Sequence, residues 1–414
     1  MNNKKLVSLI ILSMIFSSLQ ASTSFSTSVI PIQAKTSTNS SNTLQIYTYQ
    51  SLMAYPYYNI EGNFSAYSGI NVNITRFSDA NQLVTQLVSE KNNPQADIVI
   101  GIDNALIQLI NVSDYFTQYT NTSILNNLNP SLINNLDPTH YLVPYDYGVI
   151  GLTYQNQVIN ETQYPFLNNF TYNDFLTSNL ASKTVMENPN ISSPGLAFLL
   201  STIATYGDPT NNRSINGVYG QNWHDFWSKI GKKFNIRDTW NTAYTLFSTP
   251  NSNRPMMVSY LTDPAYNYCL SNDTSVSSIV TTLPNGTKSG WFQIEGIGIV
   301  KNSPRQTEAN IFMNWFLSKS LQDNIPESQW MFPSNTQASI PACFAEAGVP
   351  KLSTIVPLNN YLSNKDLKEY ITTWENEWQS ALVTKNLPGF QITGMIVFVP
   401  IIAVIAINKK RTRK

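Results

Sequence analysis

The sequence has few charged residues. Asp, Glu, Lys and Arg make up 12% of its 414 residues, about half the usual share, and the formal net charge is zero. Such a neutral chain has no basic footprint for nucleic acid, so we expect no nucleic-acid partner. The chain has two histidines, His140 and His224, which argues against a histidine-rich metal site or a histidine-based catalytic triad. We expect no metal centre, no cofactor and no enzymatic activity.

Cysteine is equally scarce. Cys269 and Cys343 are too few for a disulfide scaffold, and the sequence leaves open whether they are buried thiols or form one bridge.

The length of the chain exceeds that of a usual single domain, so two lobes are expected.

The amino-terminal segment is typical of export. Lys4 and Lys5 precede an apolar run from Leu6 to about Phe16, followed by small residues, which is the pattern of a secretory signal peptide. We expect a signal peptide and leader over residues 1–34 and a polar linker over residues 35–43.

The carboxyl-terminal segment is typical of a membrane anchor. Residues 389–407 contain no charged side chain and are long enough to cross a bilayer. Residues 408–414 are basic and should stay on the cytoplasmic side. We therefore predict a transmembrane helix that ties an exported protein to the outer face of the cell membrane.

The first folded segment alternates strands with helices. Strands are predicted at 44–49, 72–77 and 97–101, and helices at about 55–67 and 80–91. This order predicts a parallel, doubly wound sheet with right-handed crossovers. Ligands of such sheets bind beyond the carboxyl ends of the strands, where Tyr49, Asp79 and Asp103 lie.

The later part of the chain continues as an α/β pattern. Ser192 is predicted to cap a helix in which Pro194 takes the first helical position. That helix start offers backbone N–H groups to an anion, although plain capping is the commoner explanation. Strands are predicted at 149–154, 184–187 and 291–300, and further helices at 223–233, from Trp240 onward, at 304–325 and at 366–382.

The stretch from Val258 to Tyr268 combines a strand end with three tyrosines and a carboxylate. Pro264 cannot continue a sheet ladder, so a turn is predicted there. Aromatic faces beside Asp263 suit a flat, cationic organic ligand, because rings attract cations and the carboxylate neutralises charge. The alternative is a tyrosine-rich strand end that packs against the next helix.

The order of these motifs resembles that of the thiamine-binding proteins of ABC importers, which have the type II periplasmic binding-protein fold. The resemblance runs from about Leu44 to Leu382. The matching segments are YTYQS (47–51), ADIVIGIDN (96–104), VPYDYG (143–148), SSPGL (192–196), WNTAYTLF (240–247), SYLTDPAY (259–266), IPESQWMFP (325–333) and WENEW (374–378).

The resemblance implies a two-lobed α/β clamp with thiamine or a thiamine phosphate in the hinge cleft, and an ABC permease with its ATPase as partners. Lobe 1 would comprise residues 44–145 and 289–385, and lobe 2 residues 146–288. The implied ligand-binding residues are Tyr49, Asp79, Ala80, Ser192, Ser193, Trp240, Tyr260, Leu261, Thr262, Asp263, Tyr266 and Trp330.

Two departures from the family pattern bear on the ligand. The family usually has small hydroxyl residues after Tyr260, where this chain has Leu261 and Asp263, and it can carry an acid at the position of Gln50. The negative charge of Asp263 would favour unphosphorylated thiamine, because like charge disfavours a nearby phosphate.

Other readings of the same residues stay open. A polyamine, an iron complex or another cationic heterocycle is an alternative ligand of the same fold. A thiamine-degrading enzyme with a cysteine nucleophile shares this fold, and Cys269 follows the ligand stretch, but no motif places a base beside it. A surface receptor or structural protein is the third alternative.

Overall fold

The structure is a computed structural model that describes residues 43–54, 58–210 and 213–383. These residues belong to a single compact unit. The predicted signal peptide, the predicted transmembrane helix at 389–407 and the basic tail lie outside the described residues. None of the helices within the described ranges is long and apolar enough to span a bilayer.

In the described part of the chain, thirteen strands form one mixed sheet. Their bounds are β1 Thr43–Tyr49, β2 Asn71–Phe77, β3 Ile98–Asp103, β4 Phe116–Thr117, β5 Val143–Gln155, β6 Thr184–Glu187, β7 Asn235–Arg237, β8 Met256–Tyr260, β9 Val276–Ile279, β10 Thr281–Thr282, β11 Lys288–Val300, β12 Phe332–Pro333 and β13 Val356–Pro357. The main path of the sheet runs β2-β1-β3-β11-β5-β8-β6-β7.

Helices flank this sheet. Their bounds are α1 Ile60–Ser68, α2 Ala80–Ser89, α3 Val112–Tyr115, α4 Thr122–Leu125, α5 Pro130–Leu136, α6 Asp174–Thr177, α7 Leu180–Lys183, α8 Ser193–Tyr206, α9 Trp223–Ile230, α10 Trp240–Ser248, α11 Asp263–Ser271, α12 Gln306–Phe316, α13 Lys319–Gln322, α14 Ile325–Ser328, α15 Ala342–Glu346 and α16 Asn364–Val383. Short 3₁₀ turns lie at Leu106–Leu109, Leu167–Asn169, Gly231–Lys233, Leu352–Thr354 and Leu358–Tyr361.

The first three strands are parallel to one another, as predicted. Ile46 of β1 pairs with Ile74 of β2 on one side and with Ile98 of β3 on the other, both in parallel. The first helix begins later than predicted, at Ile60, because the Asn59 side chain caps it by accepting the Gly62 N–H at 2.9 Å.

Two long strands connect the halves of the sheet. The first part of β5 pairs antiparallel with β11, and its last part pairs with β8 and β9. On its other side, β11 pairs antiparallel with β3. The predicted strand at 149–154 is therefore the second half of a strand that begins at Val143. The Val143–Gly148 motif lies inside the sheet, where the sequence predicted a connection.

Three further predictions need correction. Helix α8 begins at Ser193, so Pro194 is its second residue, and Ser192 precedes it without a side-chain capping bond. The stretch around Pro264 opens helix α11 in place of a turn, since a proline fits the first turn of a helix. The predicted helix at 304–325 is broken, in part because the Ser318 hydroxyl donates to the Trp315 carbonyl and competes with the helical ladder.

The tryptophans of α9 and α16 form part of the core, as predicted. Trp227 and Trp378 meet edge to face with ring centroids 5.9 Å apart. Both are almost completely buried, and burying a large apolar side chain contributes about 1.5–3 kcal/mol. A disulfide joins Cys269 of α11 to Cys343 of α15, which decides the question that the sequence left open.

Candidate functional site

A cleft of about 430 Å³ lies beyond the carboxyl ends of β1 and β8. Its walls come from the first turns of α8, α10 and α11, and from the loop after α14. Strand β11 contributes the floor through Gln293 and Glu295. The volume is in the range of small-molecule sites.

Most residues of the predicted ligand-binding set line this cleft. They are Tyr49, Asp79, Ala80, Ser193, Trp240, Tyr260, Asp263, Tyr266 and Trp330. Ser192, Leu261 and Thr262 do not line it, because all three are buried behind its surface. Leu261 belongs there to a buried apolar cluster with Val149 and Val280.

Aromatic rings form one wall of the cleft. Trp240 stacks on Tyr244 with ring centroids 4.8 Å apart and an interplanar angle of 14°. Tyr266 stands perpendicular to Tyr244 at 6.0 Å and to Trp330 at 5.2 Å. Successive ring faces and edges thus extend from α10 to the loop that carries Trp330. Such faces attract a flat cation.

The backbone of Trp330 is in the left-handed region, with φ of 61°. This conformation costs a non-glycine residue of order 1–3 kcal/mol and persists only where its surroundings hold it. The Trp330 ring stacks on Phe344 of α15 at 6.5 Å, and the neighbouring Cys343 is bonded to Cys269 of α11. Packing and a covalent link therefore hold the Trp330 ring beside Tyr266.

Asp79 lies at the start of two helices. Its Oδ1 accepts the N–H of Ala80 at 2.8 Å, in α2, and the N–H of Ser193 at 3.2 Å, in α8. Burial raises the pKa of Asp79 to about 6, although these two backbone hydrogen bonds act to lower it. Asp79 is thus a helix cap that also gives the cleft a titratable carboxylate.

Asp263 opens α11 and faces the cleft. Its Oδ2 accepts the Thr153 hydroxyl at 2.9 Å. Burial raises the pKa of Asp263 to about 6, against the lowering effect of the neighbouring hydroxyl groups. The side chain therefore remains ionised at neutral pH and titrates in mildly acidic solution.

Three carboxyl groups form a row across the floor. Glu295 of β11 pairs in register with Asp103 of β3 on one side and with Asp146 of β5 on the other. Directly opposite residues of antiparallel strands share a face, with Cβ atoms about 4.5–5.5 Å apart. We call Asp103, Glu295 and Asp146 the carboxyl row.

Glu295 is the member of the carboxyl row that lines the cleft. It accepts hydrogen bonds from the hydroxyl groups of Tyr49, at 2.5 Å, and Tyr145, and from Gln293 Nε2 at 2.9 Å. Burial nevertheless raises the pKa of Glu295 to about 7, and Asp103 adds to the effect. Sequence reasoning missed Glu295 as a site residue, although an acid inside an apolar strand was a usable signal.

The two outer members differ in their partners. Asp103 Oδ1 accepts the N–H groups of Ala105 and Leu106, both at 2.8 Å. Asp146 is completely buried, and neither of its carboxyl oxygens has a hydrogen-bond partner. Burial and the nearby Glu295 raise the pKa of Asp146 well above its ordinary value. Burial and the absence of hydrogen-bond partners both disfavour the ionised form of Asp146.

The charge of the cleft has one sign. Among the described residues that line it, Asp79, Asp263 and Glu295 are acidic and none is Lys, Arg or His. Within the described ranges, no group of three or more His, Cys, Asp or Glu residues is arranged to hold a metal ion. The arrangement is suited to an organic cation with a flat ring.

Comparison with known proteins identifies the family. The family model described as bacterial extracellular solute-binding protein matches residues 63–349. This chain belongs to that family. Among curated relatives of this solute-binding protein, the thiamine-binding periplasmic protein of Brucella suis is 27% identical over 348 residues, covering 82% of this chain and 92% of the relative.

Solved structures show the fold of this solute-binding protein. A periplasmic thiamin binding protein matches with a TM-score of 0.66 at 22% identity, covering 86% of this chain and 100% of that one. A putative spermidine/putrescine ABC transporter from Listeria monocytogenes matches with a TM-score of 0.60 at 16% identity, covering 82% and 99%. The chain thus has the mixed α/β periplasmic binding-protein fold, which is shared among proteins named for different ligands.

The disulfide bears on the enzyme alternative. The nucleophile of a cysteine enzyme is a free thiolate. Cys269 of this solute-binding protein is bonded to Cys343, and its sulfur is therefore not available as that nucleophile.

Proposed function

We propose that this solute-binding protein captures thiamine, or a thiamine phosphate, outside the cell and delivers it to an ABC permease and its ATPase. The observation that carries the proposal is the cleft itself, in which an aromatic wall faces acidic side chains with no basic residue among the described lining. The name of the Brucella suis relative supports the choice of thiamine.

The chemistry of thiamine suits this cleft. Its thiazolium ring is a permanent cation, and each good cation–π contact contributes about 1–2 kcal/mol when desolvated. Trp240, Tyr266 and Trp330 supply such contacts. Asp79 would accept hydrogen bonds from the aminopyrimidine, and a phosphate would lie near the start of α8.

We further propose a hinge motion of two lobes, comprising residues 44–145 with 289–385 and residues 146–288. Asp79 and Trp330 would come from the first lobe, and Trp240, Tyr260 and Tyr266 from the second. Support comes from β5 and β11, which each run through the middle of the sheet. A ligand that contacts both lobes would favour the closed state.

The predicted anchor completes the proposal. A transmembrane helix at 389–407 would keep the binding protein on the outer face of the membrane, near its permease. Support for this helix comes from the uncharged residues 389–407 and the basic residues that follow them.

Calorimetric titration of the purified full-length protein tests the ligand assignment. The ligands are thiamine, thiamine monophosphate, thiamine pyrophosphate and spermidine. We expect submicromolar binding of thiamine and much weaker binding of spermidine, because a linear polyamine cannot stack on the aromatic wall. Tight binding of spermidine alone would replace thiamine by a polyamine and leave the fold unaffected.

Chemical analysis of the ligand after incubation tests the enzyme alternative. We expect thiamine to be recovered intact from the protein. Recovery of separated pyrimidine and thiazole halves would instead identify a degrading enzyme.

A further inference from the structure

The carboxyl row poses an electrostatic problem. Like charges directly opposite each other on antiparallel strands destabilise a sheet, and burial adds to the cost of each ionised group. Asp103, Asp146 and Glu295 are each at least nine-tenths buried. The three groups therefore do not all ionise while the cleft is empty, and the row retains protons.

The groups that face Glu295 are neutral or acidic. Tyr49 of β1 and Tyr145 of β5 donate to its carboxylate. Gln293 of β11 also donates to it, and links it to the Tyr260 hydroxyl of β8 through a second hydrogen bond of 2.9 Å. Asp103 of β3 and Asp146 of β5 flank it in register. Gln329 donates to the Tyr49 hydroxyl at 2.6 Å.

The hydrogen bonds decide which member can ionise. Asp103 accepts two backbone N–H groups, and Glu295 accepts three side-chain donors, so both have partners for a negative charge. Asp146 has no partner at either oxygen. Asp146 therefore keeps its proton. Glu295 is the one member of the carboxyl row that both has hydrogen-bond donors for a negative charge and lines the cleft.

We propose that Glu295 determines the charge preference of this cleft by exchanging a proton for the positive charge of the ligand. In the empty cleft in mildly acidic solution, Glu295 is a carboxylic acid. When the cation binds, the O–H bond of Glu295 breaks, the proton leaves to solvent, and the carboxylate pairs with the cation. The identity of that cation as thiamine rests on the proposed function.

The exchange follows from simple electrostatics. An opposite charge within about 4–6 Å favours the ionised form of a carboxyl group, so the cation lowers the pKa that burial has raised. A neutral molecule of the same shape gains nothing from Glu295. The exchange also predicts that cation affinity falls as pH falls, because a larger fraction of the free protein then carries the proton that the cation has to displace.

Calorimetry in buffers with different protonation enthalpies measures the protons released. The full-length protein is titrated with thiamine at pH 6, pH 7 and pH 8 in each buffer. We expect Glu295 to release about one proton per thiamine at pH 6 and much less at pH 8, given that its pKa is raised to about 7. Asp79 and Asp263 titrate near pH 6 and add to the release, so variants must isolate Glu295.

Two variants and a matched control isolate the residue. Glu295→Gln should remove most of the proton release at pH 7 and weaken thiamine binding at pH 8 by at least tenfold. Gln293→Met removes one hydrogen-bond donor to the Glu295 carboxylate and should raise the pKa of Glu295. The proton release should therefore persist to higher pH. Glu375→Gln is the control, because burial also raises the pKa of Glu375 to about 7 but the residue lies on α16, outside the cleft lining. Glu375→Gln should change neither the proton release nor the affinity for thiamine.

The outcomes separate this inference from the proposed function. Thiamine binding without proton release, or with release unchanged in Glu295→Gln, would overturn the exchange and leave the function intact. Release that accompanies spermidine but not thiamine would support the exchange and overturn the thiamine assignment. Binding of none of these cations would overturn both. Circular dichroism shows whether Glu295→Gln is folded, and Gln293→Met provides the test if it is not.

Discussion

The carboxylate of Asp79 accepts a hydrogen bond of 3.2 Å from the backbone N–H of Ser193, 114 residues further along the chain. The same oxygen accepts the N–H of Ala80. The positive ends of two helices therefore share one carboxylate, which is where a helix dipole favours negative charge. An anionic ligand at the start of α8 would have to lie beside this carboxylate.

The shared carboxylate predicts a pH-dependent stability. The pKa of Asp79 is raised from 3.8 to about 6, so the folded protein binds this proton more tightly than the unfolded chain does. The stabilisation is complete below about pH 4 and is lost as pH rises through 6. Asp79→Asn resembles the protonated form, so its free energy of unfolding should exceed that of the wild type by about 1–3 kcal/mol at pH 8, and the difference should vanish near pH 4.

Urea unfolding of the ligand-free protein at several pH values measures this difference. Asp273→Asn is a suitable control because Asp273 is an exposed acid away from the cleft. If the free energy of unfolding of the wild type instead rose relative to that of Asp79→Asn between pH 4 and pH 8, ionised Asp79 would stabilise the folded protein and the prediction would be wrong.

Local patterns predicted much of this arrangement. The strands around β1 follow from runs of apolar residues, and the cap at Asp79 follows from an acid between a strand and an amphipathic helix. The resemblance to a family placed Tyr49, Trp240, Tyr266 and Trp330, all of which line the cleft. Each of these predictions depends either on residues that are close together in the sequence or on the order of motifs shared with a known family.

The carboxyl row could not be predicted in the same way. Asp103, Asp146 and Glu295 meet only because β11 pairs with β3 and β5 in a particular register. A shift of one residue would turn Glu295 to the opposite face. Similarly, the partnership of Cys269 with Cys343 depends on how α11 packs against α15, which no local pattern encodes.

The disulfide should stabilise the protein and support the aromatic wall. The two cysteines are 74 residues apart, and closing a loop of that length in the unfolded chain is worth about 4 kcal/mol in the chain-entropy model. The double variant Cys269→Ser/Cys343→Ser should lose about 2–4 kcal/mol of the free energy of unfolding, measured in urea.

The same variant should bind thiamine more weakly, because Phe344 and Trp330 lose the link that holds them near Tyr266. Wild-type protein treated with a reductant should behave like the double variant. Equal thiamine affinity in reduced and oxidised protein would show that packing alone positions Trp330.

A buried ion pair fixes α16 to the rest of the fold. Arg213 donates through Nε to Asp208 Oδ2 and through Nη2 to Glu377 Oε2, both at 2.6 Å, and Trp374 donates to the same Asp208 oxygen at 2.7 Å. Arg213→Met would leave the buried Asp208 without its cation. We expect a loss of about 3–5 kcal/mol in the free energy of unfolding.

Thermal and urea unfolding of the Arg213 variant should be compared with Lys91→Met. Lys91 forms an ion pair of 2.8 Å with Asp114, but both side chains are more than 40% exposed. Solvent screens such a pair, so its loss should have a much smaller effect. Equal effects of the two variants would contradict the importance of burial.

The aromatic wall predicts graded losses of affinity. Trp330→Ala and Tyr266→Ala should each weaken thiamine binding by about 5- to 30-fold, which corresponds to one cation–π contact of 1–2 kcal/mol. Tyr266→Phe keeps the ring and should bind nearly as well as the wild type. Because the two rings touch, the double alanine variant should lose less than the sum of the single losses.

Calorimetry measures these affinities, and Tyr361→Ala serves as the control. Tyr361 is partly exposed and does not line the cleft. If Tyr361→Ala weakened binding as much as Tyr266→Ala, the losses would reflect general destabilisation and the aromatic wall would lose its assigned role.

Asp263 should set the preference between thiamine and its phosphates. Its carboxylate faces the cleft from the first turn of α11, and a unit charge near a bound phosphate opposes binding by an amount that depends steeply on screening. Asp263→Ser should therefore improve the affinity for thiamine monophosphate relative to thiamine by about tenfold at pH 8. Because the pKa of Asp263 is raised to about 6, the wild type should approach the variant's preference at pH 5, where its carboxyl group is protonated. Calorimetric titration of both proteins with both ligands at the two pH values measures the ratio. A preference that is unchanged by the substitution at pH 8 would remove Asp263 from any role in ligand choice and leave Asp79 as the acid that faces the phosphate.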